Sequence, residues 1–285
     1  KTGFSMAICA GAVVGGAMFG DNLSMISDTT IAAVKTQGCE MKDKFRENFL
    51  IVLPAAIVTI LLFLVLGRNA AFQLKGELTF NIFRVLPYLV VLIGALAGVN
   101  VFIVLIAGTV LSLIAGVGTG AFGLGDMFTH VGEGIMGMYD ITVISIIVAS
   151  IVALVKEYGG IAFILSFIKK RINGERGGEL GIAALALLVD MCTANNTVAI
   201  VMAGPIAKEI SADFGVTPRR SASLLDMFSS MGQGLIPYGA QLLAAAGLTG
   251  LTPFEIIPYC FYPILMGVSG LIFIFIKKRH GKVLV

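Results

Sequence analysis

Residues 19–33 read FGDNLSMISDTTIAA and place two carboxylates and several hydroxyls beside some of the most apolar sequence in the chain. Carboxylate and hydroxyl oxygens suit a small hard cation such as Na⁺, by analogy with the ligands that Ca²⁺ and Mg²⁺ take. A buried carboxyl group can also hold a proton, because burial favours its neutral form. The stretch therefore predicts a site where a proton and a cation compete, with Asp28 as the first candidate and Asp21 as the second. The neighbouring hydroxyls belong to Ser24, Ser27, Thr29 and Thr30.

A purely structural role competes with this interpretation. In a soluble loop, Asp21 would cap a helix and the nearby hydroxyls would satisfy backbone groups. Within a membrane segment, however, ionisable residues are rare and usually functional. We therefore favour a functional role for Asp28 and leave both roles open for Asp21.

Two later segments, residues 187–205 and 224–245, also mix polar with apolar residues. Such segments cannot face lipid, so we expect them to face protein or a wet cavity. The first offers neutral oxygens that would complete a cation site, although hydrogen bonding between helices would explain them equally well. The second offers a carboxylate followed by hydroxyl and amide groups. The candidate ligands from these two segments are Thr193, Asn195, Asn196, Asp226, Ser229 and Gln233.

The composition indicates which elements must position these residues. Hydrophobic residues make up 57% of the chain and charged residues 13%, whereas a soluble domain is about half apolar and a quarter charged. Several apolar runs approach or exceed the length of about 20 residues that a membrane helix needs. The runs are continuous and do not alternate as the strands of a membrane barrel would, so we predict an all-α polytopic membrane protein. The clearest runs are residues 49–66, 84–118, 139–155, 180–206 and 254–276.

The charged residues and cysteines exclude several other classes. Lys and Arg are concentrated in the expected connections 35–46, 68–84, 169–176, 208–220 and 277–282, and the basic tail predicts a cytoplasmic C-terminus. The sequence contains no basic patch interleaved with aromatic residues, so it does not suggest a nucleic-acid partner. The four cysteines are scattered, which argues against a disulfide framework or a zinc site. We expect no cofactor.

A weak internal repeat suggests two related halves. The pattern of Asp21, Ser24, Ser27 and Asp28 lines up with Asp226, Ser229, Gly232 and Gln233. The chain begins inside an apolar segment without an initiator Met, so we expect most of a first repeat to precede it. We predict that residues 1–83 are the rest of that repeat and that residues 84–285 form the second. Repeats with polar, broken helices at corresponding positions are the best sequence indication of a secondary transporter's binding site.

Two stretches carry a family likeness. Residues 15–33, GGAMFGDNLSMISDTTIAA, closely resemble the GDxxSPxSDTT motif of NhaC-type sodium/proton antiporters, with Met25 in place of the usual Pro. Residues 219–241 are similar to the family's second motif, with Tyr238 where Trp is common. The resemblance implies an ion-transporter-type fold with inverted repeats, broken helices and re-entrant hairpins. It also implies Na⁺/H⁺ exchange in a prokaryotic inner (plasma) membrane, with Asp21, Ser24, Ser27, Asp28, Thr29 and Thr30 at the matching motif positions.

The resulting hypothesis is a transporter, not an enzyme, that exchanges Na⁺ for H⁺ by alternating access. Asp28 and Asp21 would bind the transported Na⁺, and the expected partners are Na⁺, H⁺, membrane lipid and the missing N-terminal half, with a homodimer left open. The first alternative is a Na⁺-coupled exchanger of organic acids such as malate and lactate, in which Arg219 and Arg220 could serve an anion. An intramembrane aspartyl protease using Asp126 and Asp140 and a passive channel are further alternatives.

Overall fold

The computed structural model describes residues 4–24, 27–68, 81–97, 99–137 and 139–276. All regular secondary structure in these residues is helical, which confirms the predicted all-α class. The chain divides into a smaller unit, residues 72–139, and a larger unit built from residues 3–71 and 140–285. The helices of the larger unit are α1 (Met6–Leu23), α2 (Asp28–Gln37), α3 (Met41–Gly67), α7 (Tyr139–Glu157), α8 (Gly160–Lys169), α9 (Gly174–Thr193), α10 (Asn196–Phe214), α11 (Pro218–Gln233), α12 (Ala240–Thr249), α13 (Pro253–Ile256) and α14 (Phe261–Ile276), with a 3₁₀ turn at Ile257–Tyr259.

The smaller unit contains α4 (Ile82–Leu96), α5 (Val101–Gly118), a 3₁₀ turn (Leu124–Asp126) and α6 (Met127–Gly137). The apolar run 84–118 is therefore two helices, and Asn100 caps the second by accepting a hydrogen bond from the Phe102 N–H (3.0 Å). Gly98, which comes between these two helices in the sequence, lies outside the described residues. Asp126 is exposed and accepts a hydrogen bond from the Gly123 N–H (3.0 Å), so it stabilises its own turn. The side chain of Asp140 lies outside the described part of the chain.

Two helix breaks follow the same plan within the larger unit. The first lies between α1 and α2, and the second lies between α9 and α10, where Ala194 adopts a left-handed conformation (φ 49°). Each broken pair ends at a glycine in the left-handed region, Gly38 or Gly215, which lets the chain turn at once into a further helix. Both α1–α2–α3 and α9–α10–α11 are thus a broken helix followed by a turn and another helix.

Helix α11 forms the core of the larger unit. Thirteen of its sixteen residues are buried, and it packs against α1, α2, α3, α9, α10 and α14. Many of these buried residues are polar. They are tolerated because neighbouring helices supply hydrogen-bond and ion-pair partners that lipid could not supply. Residues 226–233 therefore lie in one continuous helix, and the break in this part of the chain follows Gln233.

Helix α3 has the length and composition of a membrane span. It is 27 residues long, and large apolar side chains such as Leu50, Ile60 and Leu64 are exposed on it. Residues Met6–Gln37, which include the first break, are also long and apolar enough by length and composition. Helix α12 and residues Pro253–Tyr259 form a pair bent by 94°, as in a broken span or a re-entrant loop. These features fit the predicted polytopic membrane protein.

Two basic residues of the stretches that were predicted to be connections are instead buried in helices. Lys44 belongs to the first turn of α3 and is buried, and Arg220 is buried in the first turn of α11. Each is held by carboxylates on other helices of the larger unit. The prediction that these residues lie in connections was wrong. A long basic side chain near the start of a helix can turn inward when it can pair with a buried carboxylate.

Candidate functional site

The breaks of α1–α2 and α9–α10 meet through polar side chains. Asp21, in the last turn of α1, accepts a hydrogen bond from Asn196 Nδ2 at the start of α10 (3.1 Å). The same carboxylate accepts a hydrogen bond from the Ser27 hydroxyl, and Ser27 Oγ lies 2.8 Å from Thr29 Oγ1. Asp21 is half-buried, whereas Asn196 and Thr29 are buried. Residues 175 positions apart are thus joined at one point.

A second contact joins the same two breaks. Asp28, the first residue of α2, accepts a hydrogen bond from the Thr197 hydroxyl in α10 (2.7 Å) and one from the Thr29 N–H (3.0 Å). Its side chain is exposed, so the site is more accessible to solvent at Asp28 than at the half-buried Asp21. We call the group Asp21, Ser27, Asp28, Thr29, Asn196 and Thr197 the break site.

The break site combines the groups that a small cation needs. Two carboxylates supply negative charge, and hydroxyl and amide oxygens supply neutral ligands. Helices α1 and α9 both end here, and the C-terminal end of a helix carries partial negative charge. In the arrangement described, the Ser27 and Thr197 hydroxyls donate to the carboxylates. Rotation of those O–H bonds would free oxygen lone pairs for a cation without moving the backbone.

A buried ion pair lies behind the break site. Lys44 Nζ binds Asp226 Oδ2, and both side chains are essentially inaccessible to solvent. Lys44 also donates to the Thr30 hydroxyl (3.0 Å) and to the Asn22 carbonyl (3.2 Å). Asp226, on α11, is therefore a partner of a fixed cationic side chain, and its other oxygen has no hydrogen-bond partner among the described residues.

Amide and hydroxyl groups connect this pair to the first break. Asn22 Nδ2 donates to Asp226 (3.3 Å), and Asn48 Nδ2 donates to the Asn22 side-chain oxygen (2.8 Å). Ser223 in turn donates to Asn48 Oδ1 (3.0 Å). Because Asn22 follows Asp21 directly in α1, the break site and the ion pair share one rigid support.

The other predicted ligands are used locally. The Thr193 hydroxyl donates to the carbonyl of Asn195 (3.1 Å), and Asn195 caps α10 by accepting from the Val198 N–H (3.0 Å). Ser229 donates to the Asp226 carbonyl (3.1 Å), and Gln233 donates to Gln241 (2.5 Å). The Ser24 N–H donates to the Asp21 carbonyl (3.4 Å) at the end of α1. Among the described hydrogen bonds, none joins the side chains of Thr193, Asn195, Ser229 or Gln233 to the break site.

Arg220 belongs to a separate buried ionic contact. Its Nε donates to Glu179 Oε1 (2.8 Å) and its Nη2 to Glu179 Oε2 (3.4 Å), which is the paired geometry that arginine and carboxylate favour. Nη1 also lies 3.5 Å from Glu47 Oε1. Arg219 is more exposed and lies 3.8 Å from Glu47. Arg220 is thus paired with carboxylates of the chain itself.

Sequence reasoning missed Lys44, Asn22 and Asn48 as members of this region. A signal for two of them exists in α3, where Lys44 and Asn48 are four residues apart and therefore share one helix face. That face continues through Ile51 and Ala55, which are buried. Thr197 lies in the polar segment 187–205, but nothing in its spacing singled it out as the partner of Asp28.

The model of the Na⁺/H⁺ antiporter family matches residues 77–278. The chain belongs to this family. Membership places it among membrane transporters that exchange ions, in agreement with its apolar helices. No solved structure matches the chain.

Three relatives give the scale of the antiporter similarity. The chain is 24% identical to the Na⁺/H⁺ antiporter NhaC of Alkalihalophilus pseudofirmus, over 98% of the chain and 67% of the relative. It is 21% identical to the malate-2H⁺/Na⁺-lactate antiporter of Bacillus subtilis, over 90% of the chain and 62% of the relative. It is 21% identical to a Na⁺/H⁺ antiporter of Haemophilus influenzae, over 97% of the chain and 66% of the relative. The chain thus spans about two thirds of the length of these relatives.

Proposed function

We propose that the protein containing this chain exchanges Na⁺ for H⁺ by alternating access, and that Na⁺ binds at the break site. The observation that carries the proposal is the pair of contacts from Asn196 to Asp21 (3.1 Å) and from Thr197 to Asp28 (2.7 Å). Two interrupted helices from distant parts of the chain meet there with carboxylates between them. Discontinuous helices that meet in this way form the ion sites of many secondary transporters.

The chemistry of exchange follows from the two states of the carboxylates. Without Na⁺, donors from Ser27, Asn196 and Thr197 hold Asp21 and Asp28. Na⁺ would replace these donors with direct coordination by carboxylate and hydroxyl oxygens. Because Asn196 and Thr197 already join α1–α2 to α9–α10 without Na⁺, exchanging these donors for Na⁺ would change how the two broken helices are held against each other. We further propose the plasma membrane of a prokaryote as the location, since the relatives are bacterial.

Several finer assignments remain predictions. These are the division into repeats at residues 1–83 and 84–285, the homodimer, the contact with lipid and the fit to an N-terminal half. All six residues of the break site lie in the larger unit.

The test uses the full-length parent protein in everted membrane vesicles that respiration has acidified, with a pH-sensitive dye inside. Addition of Na⁺ should alkalinise the interior promptly. Asp21→Asn and Asp28→Asn should abolish this response, because each removes a charge from the cation site. Asp126→Asn is the control, since Asp126 only stabilises its own exposed turn, and it should behave as the parent.

A milder variant tests the contact between the breaks. Thr197→Val keeps the shape of the side chain and removes the hydroxyl that reaches Asp28. We expect the Na⁺ concentration for half-maximal response to rise by about tenfold, the equivalent of one charge-assisted hydrogen bond of roughly 1.5 kcal/mol. Thr249→Val is matched to it, because the Thr249 hydroxyl donates to carbonyls of its own helix, those of Ala245 (2.6 Å) and Ala246 (3.4 Å). Equal responses from both variants would contradict the break site.

The organic-acid exchanger gains no support from Arg220, which is bound to Glu179 and Glu47. We therefore expect malate or lactate to leave the Na⁺ response unchanged. A parent that responds to Na⁺ only when an organic acid is added would overturn simple cation/proton exchange in favour of that alternative.

A further inference from the structure

Asp190 is a buried carboxyl group that the break site does not use. It lies in the last turn of α9, three residues before that helix ends, and its side chain is fully buried. Neither of its carboxyl oxygens has a hydrogen-bond partner among the described residues. An ionised carboxylate in such a place would be costly, whereas a neutral carboxyl group is much cheaper to bury.

The surroundings of Asp190 are shaped to admit the carboxyl group. A Cβ atom on Gly232 of α11 would lie 2.5 Å from Asp190 Oδ2 and 3.1 Å from the Leu187 side chain. Only glycine at position 232 therefore leaves room for the carboxyl group against α11. Two further buried polar atoms without a partner among the described residues, Ser230 Oγ and Gln233 Oε1, also lie on α11, two positions before and one position after Gly232.

The titratable and charged residues on the helices around Asp190 can be named one helix at a time. Tyr238 donates its hydroxyl to the carbonyl of Met191 (2.7 Å), next to Asp190, and Cys192 lies two residues further along α9. On α11, Asp226 is paired with Lys44 and Arg220 with Glu179. On α14 the titratable group is the buried Tyr262. The charged residues of α10 lie in its last two turns, away from the break, and are Lys208, Glu209 and Asp213; α8 ends at Lys169.

This setting suits a proton better than Na⁺. A metal cation needs several oxygen ligands, as the break site provides. Asp190 instead packs against Gly232, which has no side chain, and neither of its carboxyl oxygens has a hydrogen-bond partner among the described residues. A proton needs only the carboxyl group itself. The last turn of α9 also carries Asp190 up to the break, so a movement that opens or closes the break would change the access of water to the carboxyl group.

We infer that Asp190 is a second binding site of the transporter, which carries the transported proton while the break site carries Na⁺. The inference rests on the proposed exchange of Na⁺ for H⁺. It separates the two ions in space, and it makes Asp190 and Gly232 a proton-binding unit that is coupled to the break through the end of α9.

The test compares two activities of the full-length parent in proteoliposomes. One is Na⁺-driven proton movement, measured with an internal pH dye. The other is exchange of ²²Na⁺ for unlabelled Na⁺ at equal pH on both sides, which requires no proton. Asp190→Asn should lose the first activity and keep the second, whereas Asp21→Asn should lose both. Asp126→Asn should keep both.

Two outcomes for Asp190→Asn would overturn the inference. Proton movement with the parent's pH dependence would show that Asp190 carries no transported proton. Loss of ²²Na⁺ exchange together with proton movement would show that Asp190 serves the cation site or the fold. A parent inactive in both assays would overturn the proposed function and the inference with it.

A measurement on the unmodified parent tests the inference even if the Asp190→Asn variant fails to fold. A hydrophobic carbodiimide adds to protonated carboxyl groups in apolar surroundings, and mass spectrometry identifies the modified residue. Asp190 should be labelled, labelling should fall as pH rises, and Na⁺ should give no protection. Absence of labelling, or protection by Na⁺, would contradict the assignment.

Discussion

At the scale of the residue, Lys44 and Asp226 form an ion pair in which both side chains are almost completely buried. We predict that Lys44→Met lowers the free energy of unfolding by about 3 kcal/mol, because it leaves the Asp226 charge buried without its partner. Adding Asp226→Asn should restore part of the loss, since neither charge then remains. Thermal unfolding in detergent measures both effects.

The matched control for Lys44 is Arg219, another basic residue at the start of a helix. Arg219 is about half exposed and lies 3.8 Å from Glu47, so Arg219→Met should cost less than about 1 kcal/mol. Equal losses from the two variants would mean that the buried pair contributes no more than a surface contact.

The same residues show what the sequence could reveal. Asp21 and Asp28 were predicted as site residues because a carboxylate among apolar residues is rare unless it has a function, and because hydroxyl groups lie beside them in the sequence. Lys44 gave no such signal, since it lies in the basic stretch 35–46 that resembles an exposed connection. Its burial depends on Asp226, which is 182 positions away, and no local pattern reports a partner at that distance.

At the scale of the element, α2 and α10 cross with very little space between them. A Cβ atom on Gly204 would lie 2.6 Å from Thr36 Cβ, and the Gly204 carbonyl accepts a hydrogen bond from Gln37 (2.8 Å). Gly204→Ala should therefore push the helices apart and cost about 1–3 kcal/mol, as overpacking does. It should also weaken Na⁺ binding, because Asp28 and Thr197 sit on these two helices.

A second helical glycine provides the comparison. Gly16 in α1 has no atom within 4 Å of the position that a Cβ would take. Gly16→Ala should stabilise the protein by up to about 1 kcal/mol through helix propensity and leave Na⁺ binding unchanged. Unfolding and the Na⁺ dependence of transport distinguish the pair. Similar results at both positions would argue that the crossing does not control the break site.

The helix breaks were predicted with uneven success, for a physical reason. The break after α1 and the break near residues 193–197 follow from local polar residues and were expected. The polar residues 226–233 look similar in sequence, yet they form a continuous helix. Their side chains find partners across the core, as Asp226 finds Lys44, or on their own backbone, as Ser229 does. Polarity alone cannot separate a broken helix from a buried one.

At the scale of the whole molecule, α3 has one face that is polar and buried and another that is apolar and exposed. Its buried face begins with Lys44 and Asn48, whereas its exposed face is apolar and includes Ile57, Ile60 and Leu64. A soluble helix would place these faces the other way round. Polar groups thus gather around α11 at the core, and apolar groups face outward, which is the arrangement that a bilayer requires.

The exposed face of α3 supplies a direct test of this arrangement. Ile57 lies near the middle of the apolar part of α3 and is half exposed, at 49%. Ile57→Asp should cost about 2.5–3.5 kcal/mol of insertion free energy, because the short carboxylate cannot reach the interface. The protein should shift from the alkali-resistant membrane pellet to the soluble or degraded fraction. Ile57→Leu keeps the apolar surface and should leave the pellet unchanged, so an equal loss from both variants would indicate that Ile57 packs against protein instead of lipid.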